Sequence, residues 1–277
     1  MKGFAASNIA WQPAQDEAAA EILVQHGFTG VEVAPSMLFA DPTSASDADV
    51  RQQRDRWLER GLTIVALQSL LYGHPQLRLF ADPASRAAML DHLTRITRVA
   101  AGLGAGAMVF GSPGNRQRGD LAPDEAATIA TDFFGQLGDI AANHGTTMCL
   151  EANAPDYGCD FVCRTREAIE LVQAVDSPGF RVQIDTSTMA LNGEDYGPTI
   201  QAAVPFAAHF HVSEPHLEAV SETGPVPIGE VLAAATAAQY RGWISLEMRA
   251  VGVDGNLAAL RTAAAAIRAA RDEAAGD

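Results

Sequence analysis

The sequence predicts a closed eight-stranded (β/α)₈ barrel, and three observations carry that prediction. Short apolar runs alternate with longer helical patterns eight times from end to end. The alternation occupies 277 residues, a usual length for one such barrel. The first strand ends Ser7-Asn8-Ile9-Ala10-Trp11, without the glycine-rich turn found where an open sheet binds a dinucleotide. Residues 1–277 are therefore expected to form one catalytic domain, since no linker, low-complexity segment or charge block divides them.

Strands are expected at residues 2–9, 30–35, 63–70 and 107–112, where Val, Ile, Leu and Phe cluster between turn residues. The remaining strands are expected at 147–153, 181–186, 207–213 and 243–249. Amphipathic helices are expected between them at 47–60, 83–103, 124–143, 166–175 and 228–239. Gly61, Gly104, Gly145, Pro178 and Gly242 fall where a helix must stop before the next strand. An Ala-rich stretch at 257–275 reads as the helix that closes the eighth unit.

Side chains alternate along a strand, so one set should be apolar and face the helices while the other faces the barrel axis. In the fifth strand Met148 and Leu150 face out, leaving Cys149, Glu151 and Asn153 inward. The sixth leaves Gln183 and Asp185 inward. The seventh sends Ala208, Phe210 and Val212 outward and His209, His211 and Ser213 inward. The eighth sends Ile244, Leu246 and Met248 outward and Ser245, Glu247 and Arg249 inward. Four neighbouring strands thus each aim one metal-ligand type at the axis near the C-terminal end, the face where barrel active sites lie.

Three carboxylates and an imidazole converging in a core are too costly to bury without a compensating charge. No Lys or Arg occupies an inward position at the ligand end of strands five to seven. One divalent cation held by Glu151, Asp185, His211 and Glu247 is the simplest compensation. Three oxygen donors and one nitrogen favour Mn²⁺, Co²⁺ or Mg²⁺, with Zn²⁺ also compatible, and no organic cofactor is implied. A cation that accepts about six ligands keeps positions for two adjacent substrate oxygens. It would then acidify the C–H beside a carbonyl. Glu151 and Glu247, at the two ends of the ligand arc, are the candidate acid and base.

Bulk properties limit the partners. The net charge of −15, from 34 acids against 19 bases, repels polyanions, so no nucleic acid is expected. No segment approaches the roughly twenty apolar residues of a membrane span, and the first strand begins almost at once, so no leader and no membrane are expected. Three unpaired cysteines suit a reducing cytoplasm. The expected partner is a small sugar-like molecule, with a homodimer or homotetramer left open.

The segments Cys149-Leu150-Glu151, Gln183-Ile184-Asp185-Thr186, His209-Phe210-His211-Val212 and Ser245-Leu246-Glu247 resemble the xylose-isomerase-like barrel superfamily. The likeness runs strand for strand over essentially the whole chain. Within the superfamily they look like the branch of tagatose and psicose 3-epimerases, hydroxypyruvate isomerase and inosose dehydratase. The resemblance implies that Glu151 and Glu247 are both ligands and the acid/base pair of a sugar isomerase or epimerase working through an enediolate. It leaves open a dehydratase using the same enolate chemistry, and a sugar-binding barrel without turnover. Two positions depart from the ketose epimerases: Thr188 stands where they carry a substrate-contacting His, and Leu217 where they carry an Arg. A substrate other than a plain ketohexose, with an anionic, amino or cyclic feature, is therefore expected. Superfamily endonucleases with three metals use many more histidines than the seven here.

Candidate substrate contacts lie outside the ligand set. Asn8, Glu32 and Gln68 sit at the ends of strands one to three, as hydroxyl-binding groups or ordinary polar strand ends. Asn115 and Arg116 follow the Gly/Pro turn after strand four; they either grip a substrate or belong to a surface turn. His216 and Arg249 stand near the rim, the first as a contact or a loop residue, the second as a contact or a partner to rim acids. His209 reads as a layer beneath His211, and Trp11 as pocket wall or packing. The segments 71–82 and 154–164 are long enough to be lids.

Overall fold

A strand, a helix and a parallel strand join with one hand, and eight such crossovers return the chain to its starting edge. The computed structural model describes residues 1–276, with side chains through Glu273. Its strands are β1 (Gly3–Ser7), β2 (Gly30–Val33), β3 (Thr63–Leu67), β4 (Ala107–Phe110), β5 (Met148–Glu151), β6 (Phe180–Asp185), β7 (Ala207–Ser213) and β8 (Trp243–Glu247). All pair in parallel and in chain order, and β8 closes on β1 with Ser245 opposite Ala5. The helices are α1 (Asp16–Gln25), α2 (Pro35–Leu38), α3 (Asp47–Glu59), α4 (Pro83–Leu103), α5 (Pro123–Asn143), α6 (Thr165–Val175), α7 (Thr186–Asn192), α8 (Tyr196–Ala203), α9 (Ile228–Ala237) and α10 (Asn256–Gly276). The chain is a (β/α)₈ barrel, as its alternation requires. No helix among the described residues is long and apolar enough to cross a membrane.

Local chemistry sets the element ends. Ser46 opens α3 with a reciprocal cap: its hydroxyl accepts from Asp49 N at 3.2 Å, and Asp49 Oδ2 accepts from Ser46 N at 3.3 Å. Asp82 caps α4, which stops at Gly104 with a left-handed φ of 82°. Most strands end earlier at the mouth than the sequence pattern does. Alternation continues through Asn8, Gln68 and Asn153, but the chain there has left the ladder for short turns such as Asn8–Ala10 and Pro155–Tyr157.

Outward residues of the second half, Met148, Leu150, Val182, Ile184, Phe210, Val212, Ile244 and Leu246, are all buried against the helices. Each such side chain stabilises the fold by about 1.5–3 kcal/mol, so the outer layer holds the barrel. Inside, the lower floor is small: Ala5, Ala107 and Cys149 form a separate cluster capped by the Trp243 ring. A Cβ at Gly30 would sit 2.9 Å from Ala5 Cβ and 3.1 Å from the Trp243 ring, so only glycine admits that plug. Ala208 departs from the expected alternation. It packs on this inner floor rather than outward, because the β6–β7 register shifts between Val182 and Gln183 and skips it.

Candidate metal centre and cleft

Glu151, Asp185 and Glu247 are the last residues of β5, β6 and β8, and His211 lies opposite Asp185 in β7. Strand pitch and register therefore bring all four to one level of the barrel. One donor atom from each lies within 4.8 Å of the others. His211 is fully buried, and the three carboxylates are at most 9% exposed.

Neutral donors fix one oxygen of each glutamate and both oxygens of Asp185. Asn153 Nδ2 donates to Glu151 Oε2 and Gln68 Nε2 to Glu247 Oε1, both at 2.8 Å. The Ser213 hydroxyl donates to Asp185 Oδ2 and Thr188 N to Asp185 Oδ1, both at 2.6 Å. Gly111 faces Glu151 so closely that a Cβ there would collide with Oε2. Neutral donors orient the acids without cancelling their charge. Burial, reinforced by Glu151 and Glu247, pushes the Asp185 carboxyl up to about 7. Burial also raises Glu247, although His211 opposes it.

His211 is held from below. Its Nε2 lies 2.9 Å from Glu32 Oε2, and the same carboxylate oxygen is 3.3 Å from His209 Nε2. Burial alone would raise the Glu32 carboxyl, but the two imidazoles hold it well below the usual range. A carboxylate can only accept, so His211 Nε2 carries a proton and Nδ1 is turned toward the cleft. Nδ1 stands 3.1 Å from Glu247 Oε2 and 3.4 Å from Glu151 Oε1, yet it is buried and makes no hydrogen bond. Burial disfavours an imidazolium here, but Glu247 and Glu32 outweigh it and raise His211 well above its ordinary value. A buried imidazole nitrogen without a hydrogen bond, gathered with three carboxyl groups, fits a hard divalent cation, whose binding would displace protons. The Glu32–His211 pair has the form in which a ligating histidine is commonly oriented.

Several expected substrate contacts serve other partners. Arg116 is fully buried; its guanidinium donates to Glu151 O at 2.7 Å and Asn153 Oδ1 at 2.8 Å, clamping the end of β5 instead of facing substrate. Glu32 lies beneath the centre and is spent on the two histidines. Asn8 Oδ1 accepts from Ala34 N at 2.8 Å, tying the turn after β1 to the end of β2. Asn115 lines the cleft but donates to His74 O and Leu77 O, which folds the 71–82 segment. Gln68 also lines the cleft, with its amide committed to Glu247 and Ser7 Oγ. His216 is exposed beside Tyr157, and Arg249 is exposed with no side-chain partner among the described residues. Neither residue lines the cleft. Trp11 is buried and donates to Asp16 at 2.9 Å, so it packs and does not wall the pocket.

The structure adds Asn153, Ser213 and Thr188 as carboxylate holders. The first two were visible as inward positions two residues beyond a ligand; Thr188 was visible only as a departure, and its hydroxyl donates to Ala152 O. The two long segments contact each other through the Phe80 and Phe161 rings at 4.8 Å, and Leu71, Tyr72 and Tyr157 from them line the cleft. Cleft residues Ser69, Ser112 and Leu217 have left-handed backbones, with φ of 55°, 47° and 57°. Such strain concentrates where side chains must be aimed at a ligand.

A family model for the xylose isomerase-like TIM barrel matches residues 20–272, and the chain belongs to that family. A search of curated protein sequences gives no match. Among solved structures it is similar to a D-psicose 3-epimerase from Clostridium cellulolyticum H10, at 17% identity and a TM-score of 0.77, over 99% of this chain and 98% of that one. It is similar to an L-ribulose 3-epimerase at 16% identity and 0.78, over 99% and 97%. It is similar to a 3-keto-D-glucoside 4-epimerase from E. coli at 17% identity and 0.75, over the full length of both chains.

Proposed function

We propose, from membership of the xylose isomerase-like barrel family, that this chain is a divalent-metal-dependent isomerase or epimerase of a small sugar or sugar-derived polyol. The observation that carries the reading is His211 Nδ1, buried and unbonded, facing Glu151 and Glu247. Glu151, Asp185, His211 and Glu247 would hold the ion, with Mn²⁺, Co²⁺ or Mg²⁺ matching the donor set and Zn²⁺ compatible. When bound, it supplies Lewis-acid polarisation of a substrate carbonyl and its neighbouring hydroxyl. That three structural neighbours bear the names of sugar epimerases supports the same reading.

The chain's own residues account for the proton movements. One glutamate takes the proton from the carbon beside the carbonyl, leaving an enediolate. The other, from β8 or β5 across the cleft, delivers a proton to the opposite face and inverts that carbon. Return of the proton to the adjacent carbon instead moves the carbonyl and gives an isomer. Asn153 and Gln68 keep one oxygen of each glutamate fixed, so that the other is aimed inward. The lids shield the enediolate from water. Three free thiols fit a cytoplasmic location for this enzyme.

The test is C–H exchange followed by NMR in D₂O, with the Mn²⁺-loaded protein and neutral ketoses and keto-sugars. Deuterium should enter beside the carbonyl as the epimer or isomer accumulates, and a chelator should stop both. Equal exchange by metal-stripped protein would end the reading; loss of water after exchange would make the enzyme a lyase.

A further inference from the structure

We infer that the substrate is an uncharged glycoside, with a sugar ring at the carboxylates and its second group lying on Tyr157 and Leu217. The inference rests on the proposed function, whose site it shares. The cleft has two lobes, of about 300 and 320 Å³, and Glu151, Glu247, Ser69, Ser112 and Pro113 line both. The reacting carboxylates therefore stand at the junction, and space continues on either side of them. Each lobe alone matches the lower end of the range of small-ligand pockets, about 300–1,000 Å³. A molecule filling both extends past the reacting carbon in two directions.

Charge excludes the common alternative. No residue lining either lobe is Lys, Arg or His, while Glu151, Glu247 and Asp185 all face it. Arg116 has turned its guanidinium to Glu151 O and Asn153 Oδ1, and Arg249 and His216 stand exposed outside the lining. Even with a divalent ion offsetting two of the carboxylate charges, a phosphate or carboxylate reaching into either lobe would be desolvated with no cationic side chain to meet it. Of the anionic, amino or cyclic features expected from the sequence, this lining favours a cyclic one, and neither Arg116 nor Arg249 lines the cleft to read an anion.

Each lobe has a leucine and a tyrosine, but they are held differently. The first lobe has Leu71 and Tyr72 together with the amides of Gln68 and Asn115, and Tyr72 is exposed; the second has Leu217 and the half-buried Tyr157. The Tyr157 hydroxyl is already occupied: it lies 2.6 Å from Ser187 Oγ and accepts from His216 N at 2.8 Å. What Tyr157 has left to offer is its ring, which the His216 imidazole braces at 5.7 Å. Leu217 holds a left-handed backbone beside it. A fixed aromatic ring next to a leucine matches the apolar face of a second ring, not a string of hydroxyls.

The experiment compares a hexose carrying a ring ketone away from its anomeric carbon, which stays free when the anomeric carbon is substituted, with its phenyl glycoside and its phosphate ester, on the Mn²⁺-loaded chain by D₂O exchange. The phenyl glycoside should exceed the free sugar at least tenfold in kcat/KM, and the phosphate ester should fall at least a hundredfold below it. Tyr157→Ala and Leu217→Ala should each collapse the glycoside-to-free-sugar ratio toward one, while Arg249→Ala leaves the ratios unaltered. A phosphate ester turned over as fast as the neutral sugars, or a free sugar as good as the glycoside, overturns the inference and leaves the proposed reaction standing. Should no compound exchange, the proposed reaction fails by itself. Calorimetric binding of phenyl β-glucoside against glucose 6-phosphate then decides the inference, which stands only if the glycoside binds tighter by tenfold or more.

Discussion

Strands β5 to β8 each bring a donor atom to one point, whereas β1 to β4 bring what holds and surrounds that point. The second half of the barrel supplies Glu151, Asp185, His211 and Glu247. The first half supplies Glu32 under His211, Gln68 and Ser7 beside Glu247, and Gly111 as space for Glu151. The two halves share a fold and a polar interior, yet one carries uncompensated charge and the other neutral or histidine-paired groups. Convergence thus needs only strand ends on neighbouring strands, while the aim of each side chain is set from across the barrel.

Removing the charge from the second half should have the largest effect. Glu151→Gln and Glu247→Gln keep the shape but cannot take a proton, so C–H exchange should drop by about 10²–10⁴-fold in each. Metal content measured alongside separates loss of the ion from loss of the proton carrier. A variant that keeps its metal and exchanges at a near-normal rate removes that glutamate from acid/base duty.

Breaking the first half should cost less, and differently. Glu32→Gln leaves His211 in place but weakens what orients its ring, so metal affinity should fall about 10–100-fold. Excess Mn²⁺ should restore most of the exchange, because Glu32 touches no substrate. Metal titration followed by activity checks this. Unchanged affinity would mean that packing alone aims His211.

The smallest effect concerns pH and is confined to the second half. In the folded chain without metal, Asp185 keeps its proton to about pH 7, while its unfolded value is 3.8. The folded state then holds more protons, so stability from this group falls as pH rises from about 4 to 7. His211, raised above 6.5, contributes stability that is complete below that value and is lost as pH climbs through its folded value. Glu32 acts oppositely but only below its unfolded value of 4.5, outside the window of interest. Added Mn²⁺ should therefore raise Tm more at pH 8 than at pH 5.5, by several degrees. An equal rise at both values would show that proton displacement is not coupled to the ion.

The fold and the convergence of Glu151, Asp185, His211 and Glu247 were legible in the sequence because both follow from short-range periodicity. A period of two along each strand is enough to place Glu151, Asp185, His211 and Glu247 inward, and repeated βα units are enough to make their strands neighbours. The same rule found His209 beneath His211. It failed for Ala208, since a register shift depends on how two strands meet and leaves no trace in either one alone.

What the tertiary structure alone decided is where the long polar side chains spend their hydrogen bonds. Asn8, Glu32, Asn115 and Arg116 occupy the mouth or its approaches in sequence, and chemistry by itself would aim all four at a substrate. Each is instead consumed by a backbone or side chain 26 to 179 residues away, as with Asn8 and Ala34 or Glu32 and His211. A strand pattern fixes which way a residue leaves the sheet. It does not say which distant acceptor lies within reach of a flexible guanidinium or amide, and a buried donor takes the first geometry that satisfies it. The convergent carboxylates and imidazole were readable because their direction is set at Cα; the partners of the longer side chains were not, because theirs are set at the far end of the side chain.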